Sequence, residues 1–420
     1  MSGTSGALAI VGGRVVPVAD EHGHRREPLD EGTVLVQDGV ITAVGAEVTL
    51  PPGCEVVDAS GQWVLPGFVE PHAHIGLHEE GEGAASNDAN EQWNADAAML
   101  RAIDGITPQD MGFRDALRGG ITTAVVKPGS GNPIGGRSAA VKTWGRIVEE
   151  MLVSQDVSIK SALGENPKRF GEHRSQRPST RMGTAAELRR AFAAAADYLA
   201  EREAAAAEGR HLPRDLVKEA LAEVLSGRLA WDQHAHRADD IATAVRLSEE
   251  FGYRLVLNHG TEAHLLADYL AERDIPVIYG PLFTSRSKAE LRGRAIANAG
   301  VLARAGLTLA LTTDHPVVPI DFLVYQAAIA VKEGLDPVVA LEALTVNPAT
   351  IFGLQERVGS LAPGRDGDVV LWSGDPLDVR QRALAVYIAG TPVYRWDAEA
   401  RRPVYAEFPA APAPIPQQAG

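Results

Sequence analysis

The sequence predicts an α/β protein in which a parallel-stranded core is inserted into a smaller β unit built from both ends of the chain. Three observations predict it. The middle of the chain alternates short apolar runs with long helical segments, the pattern of βαβ units. Those runs are apolar on both faces, as strands buried between helices must be. The two ends resemble each other and differ from the middle, since both read as short strands broken by Gly, Asp and Pro turns.

In chain order, ALAIVGGRVVPVAD, GTVLVQDGVITAVG and CEVVDASGQWVLPG are β-branched runs with GG, QDG and PPG punctuation. The middle strands are ITTAVVKPG, SIKSALG, LAWDQHAH, RLVLNHG, IPVIYG and LTLALTTDH, with helices expected over 184–207 and 238–250 between them. VGSLAPGRDGDVVLWSGDP and AVYIAGTPVYRW return to the opening style, and the Pro/Ala-rich 406–420 segment is expected to be a disordered tail.

The chain has 420 residues, 45% of them hydrophobic and 23% charged, which is ordinary globular composition. Lys plus Arg is 40 and Asp plus Glu is 55, a net charge of −15. That balance argues against nucleic acid or an anionic membrane as partner. The one cysteine, Cys54, cannot form an intrachain disulfide. With no spanning-length apolar run and no basic leader, a cytoplasmic setting is the expectation.

The chemistry concentrates at strand ends. His72 and His74 close the run VLPGFVEPHAHI, and residues two apart on a strand point to the same side. Two imidazoles on one side can grip a transition metal. Later runs end in His234 and His236, in His259, and in Asp314 and His315. Each alone reads as an ordinary polar strand end. A parallel barrel, however, brings all its C-terminal strand ends to one mouth.

PGFVEPHAH, the single histidines at two later strand ends, the Asp at the last strand, and the tail VGSLAPGRDGDVVLW resemble the amidohydrolase superfamily over nearly the whole chain. Within it the chain resembles the imidazolonepropionase-like and Xaa-Pro dipeptidase-like members. The resemblance implies a (β/α)8 TIM barrel over 63–357. It also implies a β-sandwich composed of 1–62 and 358–405, and one or two divalent metals, zinc first and Mn2+ or Fe2+ as alternatives. By motif, His72 and His74 are first-strand ligands, His234 the fifth, His259 the sixth, and Asp314 the eighth-strand ligand that also handles the proton.

The fourth-strand ligand has two candidates. Alternation aims Lys160 into the barrel, and the family supplies either a carboxylated lysine or a glutamate here. Glu165 lies past a Gly where alternation no longer binds, and ALGE resembles the adenine-deaminase branch. Glu165 is the expected ligand, with Lys160 a buried, ion-paired structural lysine. His236, Arg169 and Arg286 are the expected substrate-binding residues, and Lys288 is read as surface charge. The long segment 78–105 is either a pocket wall or a solvated loop, and the Gly-rich 128–137 either an anion cradle or a tight turn.

The expected activity is metal-assisted hydrolysis of a C–N bond in a small amide, cyclic amide or dipeptide. Deamination of a heterocyclic base is the alternative, and an inactive barrel serving as a binding module is the alternative of another class. A homo-oligomer is compatible with all three.

Overall fold

A computed structural model of the chain describes residues 6–81, 83–92, 94–173 and 178–407. The expected tail therefore lies outside the described residues from 408 onward. The central sheet has eight strands: β1 Phe68–Ala73, β2 Ile121–Val126, β3 Ile134–Lys142, β4 Leu152–Ala162, β5 Ala230–Ala235, β6 Leu255–His259, β7 Val277–Tyr279 and β8 Leu309–Leu311. They lie side by side in chain order. A parallel bridge between Ala73 and His315 joins the last to the first, and the His74 N–H donates to the His315 carbonyl at 2.8 Å.

One strand departs from the all-parallel expectation: β3 pairs antiparallel with both β2 and β4. The reason is length. Only residues 127–133 connect β2 to β3, and a parallel crossover requires a dozen or more. The Gly-rich segment is thus the turn of a hairpin.

The helices pack outside. Thr180 caps the Arg181–Ala207 helix by accepting from the Gly183 N–H. Ala238–Phe251 buries Ile241, Ala244, Val245 and Leu247 on one face and ends at Gly252, whose φ of 74° needs no Cβ. Phe192 stacks on Tyr253 and meets Trp231 edge-on, both at 4.7 Å, fixing the long helix to β5.

The terminal segments form one nine-stranded sheet. Trp63–Pro66 pairs with Val369–Trp372, where the N-terminal half meets the C-terminal half. Asp38 and Gly39, at φ 50° and 82°, make the two-residue turn that QDG foreshadows. The GRDGD segment fastens the two units together. Its Asp366 and Asp368 hold the buried Lys142 ammonium of β3 at 2.7 and 2.6 Å, tying the barrel to the terminal sheet.

Inside the barrel the side chains stack in layers. Val69, Val125, Ala140, Val157, Ala230, Val256, Ile278 and Ala310, one from each strand, form an apolar floor with Phe352 beneath. The residues two further along several strands are polar: Lys127, Asp232, Asn258 and Thr312.

Glu70 joins β1 to β8. It is fully buried and accepts from the His72 N–H at 3.0 Å, the Thr312 hydroxyl at 2.6 Å, and the Thr313 N–H and hydroxyl at 3.0 and 2.7 Å. Burial outweighs these bonds and raises its pKa to about 7. Glu70→Gln turns one acceptor oxygen into a donor amide and leaves a backbone N–H facing an NH2 group. The expected cost is about 1–3 kcal/mol, read as a lower urea midpoint at pH 7; an unchanged midpoint would remove Glu70 as a barrel fastener.

Candidate metal centre

His72, His74, His234, His236, His259 and Asp314 converge at the C-terminal mouth of the barrel. His72, His259 and Asp314 offer ligand atoms within 4.8 Å of one another, and so do His234, His236 and His259. His259 belongs to both groups. The imidazoles crowd edge to face: His72 and His74 lie 5.3 Å apart, His234 and His259 4.4 Å.

Local backbone makes the convergence possible. A register shift between Glu70 and Ala73 interrupts alternation, so Val69 reaches the floor while His72 reaches the mouth. His259 follows Asn258, and both point inward. Its φ of 69° breaks the two-residue alternation. Asp314 has φ 53°, another left-handed residue at the mouth.

Hydrogen bonds fix the ring tautomers. The Nδ1–H of His72 donates to Asn258 Oδ1 at 2.9 Å, that of His74 to the Lys127 carbonyl at 2.7 Å, and that of His259 to the Gly280 carbonyl at 2.8 Å. Each Nε2 is then left with a lone pair. The Nε2 atoms of His72 and His74 both face Asp314 Oδ1 at 3.3 Å. Two lone pairs and a carboxylate oxygen at that distance call for a proton or a cation, and the Lys160 ammonium, 2.9 Å from His72 Nε2, meets the first lone pair here. His234 Nδ1 is buried with no hydrogen-bond partner among the described residues. The donor set therefore fits a divalent transition metal such as zinc.

Burial and neighbouring cations keep the rings neutral. Desolvation drives His72, His234 and His236 well below the ordinary value and His259 to about 4. Burial raises the Asp314 carboxyl, but the contact with His74 and the neighbouring His259 and Lys160 outweigh it, so its pKa falls below the usual value. Burial, reinforced by Lys127, lowers Lys160 to about 7.

Beneath the mouth lies a buried network. Asp232 accepts from the Lys127 ammonium and from Asn258 Nδ2, both in close contact, and from the Ser158 hydroxyl at 3.3 Å. Asn258 passes this order to His72, and Lys160 Nζ donates to His72 Nε2 at 2.9 Å. Lys127, Asp232 and Asn258 are missing from the sequence-based expectations. Their signal is a single polar residue one layer below a strand end in an otherwise apolar run.

The two fourth-strand candidates fall in different surroundings. Lys160 is fully buried against His72. Glu165 lies outside both metal-sized groups. It opens the helix Glu165–His173, where an acid suits the helix N-terminus, and it pairs with Arg169 at 2.9 Å. Gly164, with φ 88°, turns the chain there.

A cavity of about 670 Å³ opens over the histidines. Arg169 and His236 line it, as do Asn87 and Asn90 from the segment 78–105, which is thus a pocket wall. Lys288 lines it too, whereas Arg286 is not among its lining residues and donates instead to the carbonyls of Arg292 and Arg294. His236 lies between Thr261 Oγ1, at 2.8 Å from its Nδ1, and Glu290 Oε1, at 3.6 Å from its Nε2.

An eight-stranded barrel with neutral imidazoles and an ionised aspartate at its C-terminal mouth defines the class of metal-assisted hydrolases. Comparison with known proteins narrows it. The amidohydrolase family model matches residues 63–400, and the chain belongs to that family. It is a hydrolase of carbon–nitrogen bonds. The chain is 30% identical over 390 residues to amidohydrolase tasK of Hapsidospora irregularis, covering 86% of this chain but only 39% of tasK. It is 24% identical over 400 residues to the imidazolonepropionase of Mesorhizobium japonicum, covering 86% of this chain and 90% of that protein. The crystal structure of an amidohydrolase from Thermotoga maritima MSB8 matches with a TM-score of 0.88 and 42% identity, over 92% of this chain and 100% of that one.

Two outcomes follow. Asn258→Ala removes the acceptor that orients His72, and metal affinity should fall roughly 10–100-fold in competition with a chelator; unchanged affinity would make Asn258 a bystander. The second concerns pH. Unfolded histidine titrates near 6.5, but His259 and His315 titrate at about 4 in the fold, and His72, His234 and His236 lie well below 6.5. Between those values the unfolded chain binds more protons, so stability falls as pH drops through that window. Glu70, raised from 4.5 to about 7, opposes this, and so do Glu80, Asp96, Asp115, Asp240 and Glu290, whose burial also raises their carboxyls, but these act mainly nearer the carboxylate range than the histidines do. Metal-free protein should melt at a lower temperature at pH 5 than at pH 7.5, and an equal or higher Tm at pH 5 would rule out neutral buried rings.

Proposed function

We propose that the chain hydrolyses the C–N bond of a small amide, cyclic amide or dipeptide. One or two divalent ions, zinc in the first instance, would be held by His72, His74, Lys160, His234, His259 and Asp314. The observation that carries this reading is the convergence of the His72 and His74 Nε2 atoms on the Asp314 oxygen at 3.3 Å, a donor set that suits a divalent ion. His259, common to two metal-sized groups, supports room for a second ion. Lys160 is the fourth-strand ligand in this reading, in carboxylated form, because its amine is buried beside His72.

A bound divalent ion would supply Lewis acidity, lowering the pKa of a water from 15.7 to about 7. The chain's own groups do the rest. Asp314, ionised at neutral pH, accepts the proton of the attacking water and returns it to the departing nitrogen. Asn258 and the carbonyls of Lys127 and Gly280 hold the imidazoles in one tautomer. The polar cavity wall orients the substrate, with His236 and Arg169 on it.

The deaminase alternative leaned on Glu165 as a ligand; its place outside both metal-sized groups and its pairing with Arg169 favour the amide reading. In the same reading the barrel over 68–357 acts as the catalytic unit, and the terminal segments act as its β unit, with Trp63–Pro66, expected in the barrel, belonging to their sheet instead. A reducing, cytoplasmic setting agrees with the free Cys54.

The two fourth-strand candidates separate by substitution. Lys160→Met should lower bound metal and reduce kcat by at least about 100-fold, the scale of losing a group that acts in the transition state. Glu165→Gln should stay within a few-fold of wild type. The reverse pattern, with Glu165→Gln metal-poor and Lys160→Met active, would overturn the assignment.

A further inference from the structure

We propose that Lys288 is the anchor for a carboxylate on the substrate, so that the substrate is a small amide carrying a free carboxylate a few bonds from its scissile C–N bond. This rests on the hydrolase reading above and deepens it. Lys288 lies on the segment after β7, immediately before the short helical turn Ala289–Leu291, and it lines the cavity over the histidines.

Its ammonium is held rather than trailing into solvent. It donates to Asn166 Oδ1 at 2.7 Å and is ion-paired with Glu290 Oε1 at 3.6 Å, a separation too long for a hydrogen bond, so no donor is used up by that carboxylate. Glu290 is itself buried and fixed, its Oε2 accepting from the Glu165 N–H at 3.0 Å. An ammonium has three donors, and among the described residues Asn166 takes one of them. The side chain is 25% exposed, so the remaining donors are available to a molecule in the cavity. The ordering of a long side chain is thus met before any ligand arrives.

The distance to the reacting end is short. Asn166 Nδ2 donates to Ser130 Oγ at 2.6 Å and contacts His234 Nε2 at 3.5 Å. One amide therefore separates the Lys288 ammonium from the His234 ring. A substrate reaching from the metal centre to Lys288 spans about the length of an N-acyl amino acid. Arg169, the other cation on this wall, is a poorer anchor because it is 56% exposed and already pairs with Glu165 at 2.9 Å.

The test uses zinc-loaded full-length protein with N-acetylglycine, N-acetylalanine and N-acetylproline, each beside its primary amide. Affinity is read by calorimetry, turnover by release of the free amine. The acids should bind wild type at least about tenfold more tightly than the amides, the scale of one charge-assisted hydrogen bond. Lys288→Met should bring that ratio to about one while metal content and Tm stay at wild-type values, and Lys288→Arg should keep the preference. A ratio near one in wild type, or a preference that survives Lys288→Met, overturns the anchor. Preferential binding of the acids without hydrolysis of any probe upholds the anchor and counts against the hydrolase reading. Hydrolysis without preference does the opposite.

Discussion

A single buried carboxylate organises the barrel interior. Asp232 sits between the floor of aliphatic side chains and the ring of histidines, and it neutralises the Lys127 ammonium at a place water does not reach. An isolated ion there would be expensive, and a buried pair is tolerable only when its remaining donors and acceptors are met. Ser158 and Asn258 meet the remaining acceptors of the carboxylate, and the ammonium lies 4.8 Å from the centre of the Phe352 ring. Asn258 then spends its other amide atom on His72. The orientation of a ring at the mouth is therefore inherited from a charge balance one layer below it, and Lys160 is poised against that ring by the same network.

The mouth is also where the backbone departs from regular geometry. His259 and Asp314 adopt left-handed φ, and β1 slips register between Glu70 and Ala73. Such departures cost free energy and persist only where surroundings over-determine them. Glu70 is that surrounding for β1 and β8, since its four accepted hydrogen bonds span the seam on which His72 and Asp314 sit. The tail acts comparably at a distance: Asp366 and Asp368 hold Lys142, so the terminal sheet braces the strand that runs against its neighbours.

Much of this was legible in the sequence. Strand ends carrying His72, His74, His234, His259 and Asp314 announced themselves because a parallel barrel has one mouth, and five ligand-type residues at strand ends have one place to meet. Alternation along SIKSAL aimed Lys160 inward and was sound. The expectation favoured Glu165 because a Gly released it from alternation, and the same Gly in fact starts a helix whose first turn welcomes an acid. The strand β3 was itself hidden, since IGGRSAAVK is not among the expected strands and PGSGNPIGG reads as an anion cradle or a tight turn, and only connection length shows that it must run backwards. Lys127, Asp232 and Asn258 were passed over because one polar residue in an apolar run looks incidental until its three-dimensional neighbours are known. Lys288 looked like surface charge for the same reason, since its partner Asn166 lies 122 residues earlier in the chain.

Charge on two length scales governs which molecules this mouth admits. The chain carries a net −15, which at long range disfavours an anion. At physiological salt that field decays over roughly 8 Å, so it acts on approach and fades at the surface. Inside the cavity the balance is local. Lys288 and Arg169 line it, the imidazoles are neutral, and a divalent ion among them would add positive charge near Asp314. Each of these cations has a carboxylate neighbour, Glu290 for Lys288 and Glu165 for Arg169, so it is the divalent ion that would tip the cavity toward a small anion. The same balance explains why a protein so acidic can have a site suited to a carboxylate. The exterior field is screened, whereas contacts within the walled cavity are screened far less, so the few charges inside outweigh the many outside.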